Sequence, residues 1–302
     1  MPKRHSLCAL VLLSAGAVSC TLPGLASPTP FTFPTPNLTL TVIFAPTGTP
    51  PAEVPTLPPL VFTGTPEPTA TQVGPTATAF VPTAPSAGVR PNSLPAYAPV
   101  RSSAPTIDGD LSEWATISYV ADACTFGCSL WSGSNDMSGT YYWSWDASNL
   151  YLAVRVRDEA HVSVARGSRM YRGDIVEIQF DANLDADFTQ KSLSLDDTQL
   201  GLSPGNFGSL APEAYRWYPK AYAGAATSVH VQAHSTSDGY TLEASIPWTL
   251  LGATPSAGNR YGFALSLSDD DSPGSTLQQT LVSSVSTRKL LDPTTWGTLI
   301  LQ

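Results

Sequence analysis

Hydrophobic positions in the C-terminal two thirds of the chain recur every second residue. In LYLAVRVRD, Leu150, Leu152, Val154 and Val156 alternate with Tyr151, Ala153, Arg155 and Arg157. In GDIVEIQFD, Val176, Ile178 and Phe180 alternate with Ile175, Glu177 and Gln179. TSVHVQAHS, GYTLEASIPW, GFALSLS and WGTLIL follow the same rule. A period of two places alternate side chains on opposite faces of a strand. Turn residues part the runs, at Asp146–Asn149, Ser237–Gly239 and Ala257–Asn259. Many short strands without long intervening helices predict an all-β, antiparallel β-sandwich of jelly-roll type. Pro247 at a first turn and Gly252 at its end predict one short helix between them. In DGDLSEW, Asp110 is placed to cap a turn, with Glu113 three residues later completing a capping box.

The N-terminal third is another material. Lys3 and Arg4 precede an apolar run, Leu7 to Val18, too short to span a bilayer. Ala17-Val18-Ser19 then lead into Cys20. This resembles the lipobox of bacterial lipoproteins, which implies a signal peptide over 1–19 and lipid on Cys20. The membrane is then a partner through that anchor alone, on the extracytoplasmic face. Between Thr21 and Val100 the only charges are Glu53, Glu67 and Arg90, and 19 of the 28 prolines lie there. Proline blocks ladders and helices, so residues 20–104 are expected to form a disordered Pro/Thr-rich stalk. At ~3.1 Å per residue its limit of reach is on the order of 250 Å. Residues 105–302 are left as one domain.

From Arg101 onward, 22 acids stand against 12 lysines and arginines. Such a surface argues against nucleic acid as a partner. Cys8 leaves with the signal and Cys20 takes the lipid. Cys124 and Cys128, in CTFGC, remain for a disulfide in an oxidising compartment.

The order of motifs adds a family. IDGDLSEW is followed by SWDASNLYLAVRVRDE, GDIVEIQFDAN, GYTLEASIPWTLLG, YGFALSLSDDD and PTTWGTLIL. As an ordered set this resembles the family 9 carbohydrate-binding modules. The resemblance implies a non-enzymatic glycan-binding sandwich, expected to act as a monomer on a polysaccharide. Members clamp a saccharide between two aromatic rings, because a sugar's C–H face is apolar and its hydroxyls need polar partners. One ring of the family sits just before the DxVEI strand, where this chain has Tyr171, followed by Arg172. The other lies ahead of a proline before the last strand. Here that stretch, SVSTRKLLDP, has no aromatic residue. Trp217 and Trp131, with Tyr215 and Tyr218, fall in segments that read as loops and are candidates to replace it. The alternative is a structural or protein-interaction sandwich that has lost the sugar clamp.

DANLDADF sets Asp181, Asn183, Asp185 and Asp187 at alternating positions, a spacing of oxygen ligands suited to a structural calcium ion. No other cofactor is called for. SDDD, ending in Asp269–Asp271, is a second, weaker candidate. GLSPG matches G-x-S-x-G, but Pro204 lacks the N–H that a hydrolase elbow needs there. His230 and His234 share a strand roughly 13 Å apart and cannot hold one ion.

Overall fold

The computed structural model describes residues 88–114, 117–274 and 276–302. The expected signal peptide, Cys20 and the stalk as far as residue 87 lie outside them. Two sheets face each other. The larger contains β1 (Ala96–Ala98), β14 (Gly297–Leu301), β12 (Arg260–Asp269), β6 (Ile175–Asp181), β7 (Asp197–Ser203), β8 (Glu213–Tyr218) and β9 (Gly224–Ala225), in that order. Beside β12 it also carries β13 (Thr280–Ser283), which pairs with β3 (Ala123–Phe126). The smaller sheet runs β10 (His230–Thr236), β11 (Gly239–Pro247), β5 (Asn149–Asp158), β4 (Met137–Trp145) and β2 (Tyr119–Ala121). All pairings are antiparallel except β1 with β14, which is parallel.

The alternation read from the sequence is the alternation that packs. Leu150, Leu152, Val154 and Val156 meet Val176, Ile178 and Phe180 in one buried core between the sheets. Trp143 and Phe263 cross in it edge to face, centroids 5.2 Å apart. Helix α1 is Trp248–Leu251, with Gly252 in the left-handed conformation at its end, as the Pro/Gly pair predicts.

Two expectations need correction. Residues 88–104 are not stalk: β1 pairs with β14, and Arg90 is 1% exposed. Its backbone N–H donates to Thr298 Oγ1, and Asn92 Nδ2 donates to the carbonyls of Thr294 and Trp296. The DGDLSEW turn also differs in detail. Asp110 caps Leu111–Glu113 by accepting from the Ser112 N–H, but Glu113 turns away and accepts from the Thr106 N–H. The residue that fixes the turn is Glu243 on β11. Its carboxylate accepts from the Asp108 and Gly109 N–H groups and from Trp114 Nε1. Burial pushes the Glu243 carboxyl up, and these three hydrogen bonds oppose it. Glu243→Ala orphans three donors, so a loss of about 2–3 kcal/mol is expected in urea unfolding.

Candidate functional site

The face of the larger sheet turned away from the core has a polar floor. Val176, Ile178 and Phe180 point inward, so Glu177 and Gln179 point outward. Glu177 stands opposite Gly201 on β7 and Ser266 on β12; Gln179 stands opposite Gln199 and Ala264. The segment before the last strand folds over this floor. Arg288 Nη2 lies 3.0 Å from Glu177 Oε2, and its Nε donates to Gln179 Oε1. Gln199 Nε2 donates to the Leu290 carbonyl. Burial raises the pKa of the Glu177 carboxyl and lowers that of Arg288, and their pairing opposes both shifts. Only 8% and 9% of the two side chains is exposed.

Aromatic rings rise at the side of that floor. Tyr171 lies in the 3₁₀ stretch Gly167–Arg172, directly ahead of β6. Ser268 Oγ donates to the Tyr171 carbonyl, and Gln278 Nε2 donates to Ser268 Oγ. Arg172 Nε donates to Tyr171 Oη. Trp217 reaches the same place from β8, its Nε1–H donating to the Ser168 carbonyl. The Tyr171 and Trp217 centroids are 6.3 Å apart with the planes at 75°, and Tyr215 packs 5.7 Å from Trp217. Gly201 permits this: a Cβ there would stand 2.4 Å from the Trp217 ring. The two half-buried rings form a corner, not a pair of parallel plates. One can stack on a sugar's C–H face while the other meets its edge.

Tyr171, Arg172 and Trp217, each expected from the sequence, are therefore brought together. Tyr215, Trp217 and Tyr218 belong to strand β8 rather than to a loop. Trp131 is elsewhere. It donates Nε1–H to the Met137 carbonyl and packs against the main core, and among the described residues no ring contact joins it to Tyr171 or Trp217. Sequence reasoning missed Glu177, Gln179 and Arg288 as parts of one floor.

The acidic loop also rearranges. Asp181, Asp187 and Asp196 bring carboxylate oxygens within 4.8 Å of one another, and Asp197 stands opposite Asp181 across the β6–β7 ladder. Asn183 is drawn into a turn, its N–H donating to Asp181 Oδ1 and its carbonyl accepting from Ala186. Asp185 lies instead beside Gly88. The four residues of the 1-3-5-7 spacing are thus not brought together: tight turns at 183–186 and 187–190 bend the chain back, and Asp196 and Asp197, at the start of β7, join Asp181 and Asp187 instead. Both carboxylate oxygens of Asp187, one of Asp196 and one of Asp197 are buried without hydrogen-bond partners. Burial pushes the Asp181 carboxyl up to about 6, against the pull of Arg90. Burial pushes Asp197 up to about 7, with Asp181 and Asp187 adding repulsion. Arg90, 2.9 Å from Asp181 Oδ2, is the cation paired with this group. A buried, oxygen-only donor set with unpartnered oxygens fits a hard divalent ion. Cys124 and Cys128 are joined by a disulfide with Cα atoms 5.7 Å apart.

Comparison with known proteins agrees with this architecture. Residues 107–302 match the family described as carbohydrate family 9 binding domain-like. Two solved structures share the fold, both of a family 9 carbohydrate-binding module from Caldicellulosiruptor kristjanssonii. The one in complex with cellotriose is 21% identical at a TM-score of 0.52, over 68% of this chain and 93% of its own. The one in complex with glucose is 22% identical at the same TM-score, over 68% of this chain and 95% of its own. No curated protein matches the chain.

Proposed function

Because the chain belongs to the carbohydrate family 9 binding domain-like family, we propose that it is a non-enzymatic glycan-binding module. The observation that carries this is the Tyr171–Trp217 corner beside the Glu177–Gln179–Arg288 floor. Apolar rings offer a surface to sugar C–H groups, and the buried polar row fixes the segment that borders them. Glu177 is held by Arg288 as an ion-paired acceptor, a role suited to binding and not to proton transfer. The cellotriose and glucose complexes of the two similar modules make β-glucans the first class to test. Lipid on Cys20 is proposed to anchor the chain at the extracytoplasmic face of the membrane, with the Pro/Thr-rich segment as spacer. The module is proposed to work as a monomer.

Affinity electrophoresis of the purified chain against plant, bacterial and storage polysaccharides tests the reading. Retardation by one glycan is expected. Trp217→Ala and Tyr171→Ala are each expected to weaken it at least tenfold, because each removes one wall of the corner. Absence of retardation by every glycan sinks the reading and turns the search to protein partners. The exposed Leu290 and Leu291, in the stretch SVSTRKLLDP, would then be the first surface to examine.

A calcium ion is proposed at Asp181, Asp187 and Asp196. At about 100 times its Kd an ion stabilises the fold by about 2.7 kcal/mol. Chelation should then lower Tm by roughly 5–11 °C, at ~2–4 °C per kcal/mol for a domain of this size. A scan with and without EDTA measures it.

A further inference from the structure

The 3₁₀ stretch that carries Tyr171 is rich in arginine, although the domain around it is acidic: 22 acids stand against 12 lysines and arginines from Arg101 onward. Arg169 and Arg172 both lie in Gly167–Arg172. A helix of three residues per turn brings such i, i+3 positions onto one face. Arg169 is exposed and Arg172 half-buried. The ring corner is built on the same stretch. The Trp217 Nε1–H donates to the carbonyl of Ser168, next to Arg169, and Tyr171 directly precedes Arg172.

Arg90, Arg155, Arg157, Arg166 and Arg288 each pair with a carboxylate. Among the described residues, Arg169 and Arg172 pair with none. Glu213 on β8 is already engaged: it lies 3.4 Å from Arg166 Nη2 and accepts from the Gly167 N–H. The Arg172 guanidinium is held against a ring instead. Its Nε donates to Tyr171 Oη at 3.2 Å, and its central carbon is 5.7 Å from the Tyr171 centroid. Its two Nη groups have no hydrogen-bond partner among the described residues, so the outer side of the fork is open. Two arginines without acids, in a domain with acids in excess, make the ring corner a local seat for negative charge.

On the glycan-binding reading, we propose that the ring corner takes an acidic saccharide, a uronic acid unit whose carboxylate is held by Arg172 and Arg169. The Tyr171 and Trp217 planes stand at 75°. A pyranose stacked by its C–H face on Trp217 therefore turns its edge to Tyr171, where the Arg172 guanidinium sits. A uronate carries its carboxylate on that edge, at C5. The planar guanidinium fork matches two carboxylate oxygens, and the neighbouring rings keep water from screening the pair. A neutral hexose has a hydroxymethyl group there and leaves both cations unpaired. The acidic domain repels polyanions in general, so a preference for the charged sugar comes from these two side chains and not from overall charge.

The test compares each acidic sugar with its own neutral form. The purified chain is titrated by isothermal calorimetry with oligosaccharides of β-1,4-glucuronate, α-1,4-galacturonate and β-1,4-mannuronate. Each is run beside its carboxyl-reduced counterpart at one ionic strength. At least one acidic oligosaccharide is expected to bind at least about tenfold more tightly than its reduced form. Arg169→Gln/Arg172→Gln should bring that ratio close to one. Reduced forms bound as tightly as the acids overturn the proposal and leave the glycan reading standing. No binding of any acid or reduced form also overturns it, and the wider polysaccharide screen then decides the glycan reading alone. A ratio that persists in the double variant overturns the assignment to these arginines. Should that variant not fold, Arg169→Gln alone, at an exposed position, is expected to lower the ratio by about threefold or more; an unchanged ratio would remove Arg169 from the proposal, and equal binding of both forms by the wild type would still overturn the whole.

Discussion

Arg288→Met is expected to destabilise the domain by about 3–5 kcal/mol, because it strands the Glu177 carboxylate in a buried site. Glu177 is buried, and Arg288 is its ion-pair partner. Gln179 loses a donor in the same step. Domains of ordinary stability have only ~5–15 kcal/mol in all, so the loss should be plain in urea unfolding. Charge, rather than shape, is the cause, and a second change checks this. Glu177→Gln added to Arg288→Met removes the stranded charge and should recover most of the loss. If the double variant is no better than the single one, packing of the segment over the sheet is the dominant contribution. Glycan retardation should fall in both variants, since the floor beside Tyr171 and Trp217 is dismantled in each.

A chain cut at residue 105, the domain start expected from the sequence, should be less stable than residues 88–302 by at least about 4 kcal/mol. The cut removes Arg90, the cation paired with the Asp181 group. Losing one partner of a buried pair costs ~3–5 kcal/mol. It also removes β1 from the edge of the larger sheet and the two hydrogen bonds of Asn92. At ~2–4 °C per kcal/mol, Tm should drop by roughly 8–16 °C. Arg90→Met in the longer chain separates the causes and should account for most of the difference when measured in EDTA. Gly262 leaves the guanidinium its room: a Cβ there would stand 2.2 Å from Arg90 Nη1. Equal stability of the two chains would show that the N-terminal segment only lies on the sheet.

How much of this was legible depends on how local each signal is. Strands β5, β6, β10, β11, β12 and β14 read directly, because strict alternation records a buried face residue by residue. Strand β8 did not. EAYRWY stands between Pro212 and Pro219, and its outward face is itself aromatic, so its period carries no polar contrast. Trp217 therefore looked like a loop residue. Tyr171 was readable from its fixed place before β6. Arg288 was not, since nothing in SVSTRKLLDP says which acid it will meet 111 positions away. The acidic loop shows the same limit. Asp181 and Asp187 were found by spacing, whereas Asp196 arrives just ahead of a neighbouring strand. Residues 88–100 were hidden by composition, as the proline-rich stretch continues into them, and Arg90 is their one charged residue.

The parallel pairing of β1 with β14 bears on mechanics. Ala96, Tyr97 and Ala98 lie in register with Leu299, Ile300 and Leu301, and the chain ahead of β1 is the route by which an anchored protein would be pulled. Tension applied along β1 loads its hydrogen bonds to β14 sideways and together, instead of opening them one after another. Arg90, upstream of the strand, meets the force first through its ion pair with Asp181. A bound module under flow would then resist at its N-terminal edge up to a threshold force and yield abruptly.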